Sequence, residues 1–291
     1  MPHLSSFSAF KCAFSLGWLL AAAGCAFMMP ADSYAVGIVW QIDAATVDPV
    51  GNWQWLGASD LLVQWIVVDD TAFVRNTGLR TAAHLPDWDR ISREPWAKNV
   101  ILGLAGDTDE RRARTNFARL GEISAALVRM PTPLHVTGYY FPVEIDPSWT
   151  DAPRLVPVLN ELPRPLWVTV YDRANVGGDT LGRWLASWLP ADVGVFFQDG
   201  CGVNARIPPV ARNYLDALSH HLGKDRVRVV AEAFRPAVHG GFRAATADEL
   251  RAQMSAYSGY SVYLFDGPHY VSDDLARALA PQRAAPPGPS R

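Results

Sequence analysis

The sequence predicts a single-domain (β/α)8 barrel, an α/β fold, from two observations. After about residue 35, eight short apolar runs recur along the chain, and most are separated by segments that can form helices. The runs are nearly continuously apolar rather than alternating, which is typical of strands buried on both faces of a parallel sheet. Eight such strands within about 230 residues favour a closed barrel over the alternative, an open doubly wound sheet.

The predicted strands are rich in Val, Ile, Leu and aromatic residues, as buried strands usually are. In chain order they are Val36–Gln41, Leu61–Val68, Val100–Leu104, Leu134–Phe141, Leu166–Tyr171, Val193–Phe197, Val227–Ala231 and Ser261–Phe265. An open doubly wound sheet usually has a Gly-rich turn after its first strand, where it binds a nucleotide. The corresponding turn, Trp40-Gln41-Ile42-Asp43, has no glycine, and this favours the barrel.

Amphipathic segments between the strands predict the helices. Asp109–Arg129 is the clearest, because Leu120, Ile123 and Leu127 are spaced for one buried face. The segment that begins at Thr246 has Thr and Glu three residues apart, which suits a capping box. The other predicted helices are a short one around Trp53–Leu56, then Thr180–Leu189, Val210–Leu222, Thr246–Tyr257 and Asp273–Ala280.

Composition and charge limit the classes of function. The chain has 291 residues, 49% hydrophobic and 19% charged, which suits one globular domain with a large core. The net charge is −3 and no Lys/Arg-rich run occurs, so nucleic acid is not expected as a partner. Cys201 is predicted to be a small buried thiol without a disulfide partner. The histidines are scattered and form no Cys/His cluster, so no metal site is expected.

The N-terminus is predicted to be a targeting segment. Lys11 precedes the apolar stretch Cys12–Met29, and a small-residue exit follows at Ser33-Tyr34-Ala35, as in a secretory signal peptide. Ala22-Ala23-Gly24-Cys25 also resembles a lipobox, which would attach a lipid to Cys25. We therefore expect export to the periplasm, the outer membrane or the medium; an uncleaved membrane helix is the alternative. The expected organisation is a targeting segment over 1–35, a barrel over 36–282 and a disordered tail over 283–291.

Polar and aromatic residues are concentrated where the predicted strands end, whereas the strand interiors are nearly free of charge. Barrels of this kind carry their active sites at the carboxyl ends of the strands. Two carboxylates stand out there, Glu144 after strand four and Glu232 after strand seven. The other candidate site residues are Trp40, Gln41, Gln64, Trp65, Tyr139, Tyr140, Gln198 and Asp199.

The positions of Glu144 and Glu232 resemble those in the large retaining-glycosidase clan of (β/α)8 barrels, which has acidic residues after strands four and seven. The local runs also look like a bacterial family of glycosidase-like barrels with a domain of unknown function; they read GYYFPVEIDPSW, VFFQDGCGV and AEAFRP. The resemblance covers roughly Val36–His269. One departure is Val143, which precedes Glu144 where the clan usually has Asn.

This resemblance implies hydrolysis of a carbohydrate without a cofactor. Glu232 would attack the anomeric carbon, and Glu144 would protonate the leaving oxygen and then activate water. Retention would need the two carboxyl groups about 5–5.5 Å apart. Aromatic rings can stack on the apolar faces of sugars, and amides or carboxylates can bind their hydroxyls. The residues expected in these roles are Trp40, Trp65, Tyr139 and Tyr140 for stacking, and Gln41, Gln64, Gln198 and Asp199 for polar contacts.

Simpler interpretations stand beside these. Glu232 can be a partner for Arg235 three residues later, and Gln198 with Asp199 can serve only to fix the turn after strand six. The strand-end tryptophans can be core residues, since the chain has 11 tryptophans. At the level of function, the alternative is a non-catalytic carbohydrate-binding or exopolysaccharide-assembly accessory protein on the same barrel, because this fold hosts many functions.

Overall fold

Eight parallel strands close into a barrel in the computed structural model, which describes residues 35–281. The strands are β1 (Gly37–Trp40), β2 (Asp60–Val63), β3 (Asn99–Gly103), β4 (Val136–Ile145), β5 (Leu166–Val170), β6 (Val193–Gln198), β7 (Val227–Glu232) and β8 (Ser261–Phe265). Each strand pairs with its neighbours in chain order, and β8 pairs back to β1. The predicted fold class is confirmed. The predicted targeting segment, apart from Ala35, and the predicted tail lie outside the described residues.

Helices surround the barrel. They are α1 (Trp88–Ile91), α2 (Glu110–Thr115), α3 (Phe117–Leu127), α4 (Val156–Glu161), α5 (Gly178–Ala186), α6 (Pro208–Leu222), α7 (Ala247–Ala256), α8 (Gly267–Tyr270) and α9 (Asp273–Leu279). Short 3-10 turns span Trp53–Leu56, Pro95–Ala97, Ala152–Leu155 and Lys224–Arg226. None of the helices within residues 35–281 combines the length and apolar character that crossing a membrane requires.

Two local predictions can be compared with these helices. The capping box is confirmed, because Thr246 accepts from the Glu249 N–H and the Glu249 carboxylate accepts from the Thr246 N–H. The prediction of one continuous helix over Asp109–Arg129 is wrong, because α2 and α3 are separated at Asn116. Asparagine competes for backbone hydrogen bonds and favours helix ends over helix interiors.

The segment between β2 and β3 differs most from the prediction. The predicted strand Leu61–Val68 is divided, since β2 ends at Val63. Val67–Val68 belongs instead to a four-stranded sheet outside the barrel. The other strands of that sheet are Thr71–Ala72, Arg80–Thr81 and Ala105–Gly106. A second small sheet follows β7 as a hairpin of Phe234–Pro236 with Phe242–Ala244.

The barrel has two hydrophobic cores. The outer core lies between the strands and the helices, and the inner core fills the barrel with Val39, Leu62, Ile101, Tyr140, Trp167, Phe196, Val230 and Tyr263. Arg228 stacks on Trp167 at 3.9 Å and donates to the Tyr263 hydroxyl at 2.7 Å. These residues precede the strand ends that carry the two glutamates, so aromatic side chains fill the barrel below that level. Access to Glu144 and Glu232 is therefore from the carboxyl ends of the strands.

Candidate active site

Glu232 is the last residue of β7 and is only 5% exposed. Its Oε2 accepts a hydrogen bond from the Gly202 N–H at 2.6 Å, and the Val203 N–H lies close enough to this carboxylate to lower its pKa. Burial and the nearby charge of Asp199 raise the pKa of Glu232 to about 7, and the two N–H donors oppose that rise. Arg235 donates to the backbone carbonyl of Glu232 at 3.0 Å and makes no ion pair with its carboxylate. The interpretation of Glu232 as an ion-pair partner of Arg235 is therefore wrong.

Gly202 belongs to the loop after β6, which lies against Glu232. A Cβ atom on Gly202 would lie 2.8 Å from both Cβ and Oε2 of Glu232 and 2.7 Å from the ring of Phe234. Glycine is thus required for close approach of the loop to the carboxylate, and this approach brings the two N–H donors into range. The loop sequence DGCGV, noted for its family resemblance, therefore has a physical reason for its second glycine.

Asp199 follows β6 and is fully buried. Its Oδ1 accepts from the backbone N–H groups of Cys201 (3.1 Å) and Glu232 (3.3 Å). Its Oδ2 accepts from the Gln253 amide and from the Tyr257 hydroxyl at 2.8 Å. With both oxygens bonded inside the protein, Asp199 holds β6, β7 and α7 together and is not placed to bind a sugar hydroxyl. Its predicted substrate contact is therefore corrected to a positioning role.

Glu144 lies near the end of β4, where the pairing with β5 shifts register between Phe141 and Ile145. Its side chain is 24% exposed. Oε2 accepts a hydrogen bond from the Gln198 amide at 2.9 Å, and the same amide nitrogen also donates to the Thr169 hydroxyl at 2.9 Å. The bulged end of β4 thus brings Glu144 against polar groups from β5 and β6.

The groups around Glu144 shift its pKa in opposite directions. Burial raises the pKa of Glu144, and the negative charge of Glu110 raises it further. The Gln198 hydrogen bond lowers it, as do Arg114 and Arg173, whose Nη2 atoms each lie 4.0 Å from Oε1. The net direction of the pKa is upward, which favours a protonated carboxyl group at a higher pH than for an exposed glutamate.

Tyr171 connects the surroundings of the two glutamates. Burial raises the pKa of its phenol, the guanidinium of Arg206 lowers it, and the charges of both Glu232 and Glu144 raise it. Both carboxylates therefore lie within electrostatic range of one side chain, although they come from strands on different sides of β5 and β6. Tyr171 follows β5 and was not among the predicted site residues.

Arg206 is buried and fixes the ends of β5 and β6. Its guanidinium donates to the carbonyl oxygens of Asp172 (2.6 Å), Asp199 (3.0 Å) and Gln198 (3.3 Å), and it lies over the Tyr171 ring at 4.9 Å. It also contributes positive charge that lowers the pKa of Glu232. The sequence offered no signal for this residue, because it lies in an irregular loop rather than at a strand end.

Three predicted stacking residues are buried instead. The Trp40 ring is fully buried and donates its N–H to the Thr46 carbonyl at 2.9 Å. The Trp65 ring is 5% exposed and donates to the Ile42 carbonyl at 3.2 Å. Tyr140 is also 5% exposed and belongs to the inner core. Stacking needs an accessible ring face, so the predicted sugar contacts of these residues are corrected to packing roles.

The remaining predicted residues have different surroundings. Tyr139 alternates with the inward-facing Tyr140 and packs against the outer core between strands and helices. Its side chain therefore faces away from the barrel interior, and its predicted stacking role is also corrected. Gln41 is half-buried after β1. Gln64 is half-buried after β2, and its Oε1 is buried with no hydrogen-bond partner among residues 35–281. Together with Gln198, these amides are the polar candidates that the structure leaves at the barrel mouth.

A further group of charged residues lies next to β8. Asp266 is buried; its Oδ2 accepts from the Gln41 N–H at 3.3 Å and lies 2.6 Å from Nδ1 of His269. Nε2 of the same histidine lies 3.1 Å from Oδ2 of Asp43. Burial raises the pKa of Asp266 to about 6, and His269 opposes that rise. Within the described range, no group of three His, Cys, Asp or Glu side chains is arranged to hold a metal ion.

A large cavity opens beside Glu144, and neither its aromatic nor its basic lining was predicted. Its volume is about 810 Å³. It is lined by Asp109, Glu110, Arg111, Arg114, Thr115, Phe117, Ser148, Trp149, Asp151, Arg154 and Arg173. Trp149 ends the GYYFPVEIDPSW run and could have been identified as a candidate from that position.

Comparisons with known proteins bear on the fold. No protein-family model matches the chain, and no curated protein matches its sequence. Among solved structures, the chain is similar to a candidate alpha-L-fucosidase from Bacteroides thetaiotaomicron, with a TM-score of 0.53. The two chains are 13% identical, and the similarity covers 91% of this chain and 96% of that chain. At this identity the likeness concerns the fold alone.

Proposed function

We propose that the protein is a glycoside hydrolase that acts on a poly- or oligosaccharide with retention of configuration. The observation that carries the proposal is the pair Glu144 and Glu232 at the ends of β4 and β7. Both contact the end of β6 or the loop after it: the Gln198 amide donates to Glu144, and the Gly202 N–H donates to Glu232. The barrel is similar in fold to that of a candidate fucosidase, which supports the same broad class. No cofactor is needed for this chemistry.

Glu232 would be the nucleophile. Its Oε2 is held by the Gly202 N–H, so Oε1 is the atom proposed to attack the anomeric carbon. The new bond forms from an Oε1 lone pair as the bond to the leaving oxygen breaks, which gives a covalent glycosyl-enzyme. Because the carboxylate must be ionised to attack, its raised pKa implies that activity falls as pH drops below about 7.

Glu144 would be the acid and then the base. Burial raises the pKa of Glu144, which increases the fraction of this carboxyl group that holds a proton for the leaving oxygen at a given pH. Gln198 holds one of its oxygens at 2.9 Å and orients the group. In the second step, the ionised Glu144 accepts a proton from water as that water attacks the glycosyl-enzyme and releases Glu232.

Separate Glu232→Gln and Glu144→Gln substitutions test this proposal. We expect release of reducing ends to fall at least about 1,000-fold in each variant while binding of the glycan persists, since glutamine keeps the shape but cannot attack or transfer the proton. Glu161→Gln, at the exposed end of α4, is the matched control. Product configuration by NMR distinguishes retention from inversion. If wild-type protein binds glycans but releases no reducing ends from a broad panel, the accessory-protein alternative replaces the enzyme.

We also propose that the protein is exported, on the basis of the targeting pattern over residues 1–35. Export could involve lipid attachment at Cys25 or simple cleavage of a signal peptide. Only lipid attachment requires the Cys25 thiol. Cell fractionation of wild-type protein and a Cys25→Ala variant tests this. Loss of membrane association in the variant alone supports the anchor, soluble exported protein in both supports cleavage, and retention of both in the cytoplasm overturns the proposal.

A further inference from the structure

The cavity beside Glu144 shares its wall with that residue. Arg114 and Arg173 line the cavity, and each has Nη2 at 4.0 Å from Oε1 of Glu144. Arg114 also donates through Nε to the Glu144 carbonyl at 3.1 Å, which fixes this wall to the end of β4. A molecule in the cavity would therefore lie on the Glu144 side of the barrel mouth, away from β7.

An aromatic surface lies in the same cavity. Trp149 is half-buried, with the Arg114 guanidinium over its ring at 5.5 Å. Phe117 meets Trp149 edge to face at 6.1 Å, and Arg154 lies over Phe117 at 6.0 Å. Each ring has an arginine over one face, so a sugar ring would stack on the other face of Trp149.

The lining of the cavity includes three carboxylates, those of Asp109, Glu110 and Asp151. Glu110 pairs with both Arg114 and Arg173, the latter at 2.7 Å. Asp109 uses its carboxylate to cap α2. The four arginines of the lining outnumber its carboxylates by one.

Two arginines of the lining, Arg111 and Arg154, have few interactions with other side chains. Within the described residues, the Arg111 guanidinium makes no ion pair or hydrogen bond, although Arg111 is exposed and lines the cavity. Arg154 has only a 3.7 Å contact with Asp151, between side chains that are 69% and 64% exposed. An exposed pair of this kind is weak and easily exchanged for another anion. The lining therefore offers two guanidinium groups beside an aromatic face.

We infer that this cavity is the leaving-group subsite and binds a uronic acid residue, a sugar that carries a carboxylate. Its ring would stack on Trp149, and its carboxylate would bind Arg111 and Arg154, because guanidinium groups bind carboxylates with charge-assisted hydrogen bonds. The inference rests on the proposed function, since the leaving group lies on the acid side only if Glu144 is the acid. A neutral sugar would use the aromatic face but not the arginines.

Calorimetry on the Glu232→Gln protein tests the subsite without turnover. The probes are tri-galacturonate, an oligomer of guluronate and cellotriose as the neutral reference. We expect a uronate probe to bind at least about ten-fold more tightly than cellotriose, with an affinity that falls as salt rises. Arg111→Gln and Arg154→Gln should each weaken that binding about ten-fold and leave cellotriose unchanged. Arg251→Gln, in an exposed ion pair with Asp248, is the matched control.

Several outcomes overturn the inference: no measurable binding of either uronate probe, equal binding of cellotriose, or uronate binding that is insensitive to both arginine substitutions. The result also separates the two proposals. Arginine-dependent uronate binding by a wild-type protein that hydrolyses nothing would support a uronate-binding cavity, but it would overturn the hydrolase proposal and with it the leaving-group role of the cavity. Hydrolysis of neutral glycans, with kcat/KM unchanged by Arg111→Gln and Arg154→Gln, would support the hydrolase proposal and overturn the uronate subsite.

Discussion

The Gly202 N–H donates to Oε2 of Glu232 at 2.6 Å, and a Cβ atom on Gly202 would lie 2.8 Å from that same oxygen. Residue 202 thus donates a hydrogen bond to Glu232 and at the same time has no room for a side chain. Any side chain at residue 202 must move the loop, the carboxylate or both. Since the backbone there approaches β7 so closely, the orientation of Glu232 depends on a residue of the loop after β6.

Gly202→Ala is expected to lower kcat/KM about 100-fold, because a misplacement of about 1 Å in a reacting group can cost that much. The measurement is steady-state hydrolysis of whichever glycan the wild-type protein cleaves. Gly223→Ala is the control, since Gly223 has φ of 95° and a Cβ atom there would have nothing within 4 Å. It should lose stability through backbone strain yet keep its activity. Equal activity of Gly202→Ala and wild type would contradict the role of the loop.

The raised pKa of Glu232 predicts an acid limit to activity. Because the nucleophile must be ionised, kcat/KM should fall as pH drops below about 7. A pH–rate profile from acid to mildly alkaline pH checks this. An acid limb near pH 4.5, the value for an exposed glutamate, would show that Glu232 is not the group that must ionise.

The raised pKa of Glu232 also predicts that stability falls as pH rises, whereas activity should rise. The folded pKa lies above the usual 4.5, so the native state binds more protons than the unfolded state between about pH 4.5 and 7. Stability contributed by protonated Glu232 is present below that window and is lost as pH rises through it. Relative to Glu232→Gln, wild type should therefore lose on the order of 3 kcal/mol between about pH 4 and 8, at about 1.4 kcal/mol per pKa unit. Urea unfolding of both proteins at the two pH values measures the difference.

Gln198→Leu should raise the pKa of Glu144, because the amide hydrogen bond favours the ionised carboxylate. The alkaline limb of the pH–rate profile should move to higher pH, and the maximal rate should fall about ten-fold as the acid loses its orientation. Gln54→Leu, at the 3-10 turn between β1 and β2, is the control. A purely structural role for Gln198 would change stability without moving the alkaline limb.

Arg206→Met should destabilise the fold by about 3 kcal/mol or more. The substitution removes charge-assisted hydrogen bonds to the carbonyl oxygens of Asp172, Asp199 and Gln198, which are then left without this donor. Guanidinium-induced unfolding gives the free energy. Arg183→Met removes an exposed ion pair with Asp179 and should cost less than about 1 kcal/mol. A similar cost for both arginines would mean that Arg206 does not fix the strand ends.

Features that depend on nearby residues were predictable from the sequence. The eight strands follow from runs of apolar residues, and the capping box at Thr246 follows from two residues three positions apart. The placement of Glu144 and Glu232 at strand ends follows from the topology, because parallel strands of a barrel end on one face. The break of the long helix at Asn116 was missed, since one asparagine competes weakly with a good amphipathic pattern.

Features that depend on distant residues could not be predicted in this way. Whether Trp40 faces the solvent or the core depends on the packing between its strand and Trp88, 5.6 Å away. The role of Asp199 depends on Gln253 and Tyr257, which follow α6 and β7 in the chain. No local pattern reports such partners, because they meet only after the barrel closes.

The hydrogen bonds around Asp199 also bear on how related chains would diverge. Gln253 and Tyr257 are buried on and just after the outer helix α7, yet they share one carboxylate with the end of the strand that carries Glu232. Natural variation at these two positions is therefore expected to be restricted together with that at Asp199. A mutant library for altered specificity would leave all three unchanged and diversify exposed residues of the cavity wall, such as Arg111 and Arg154.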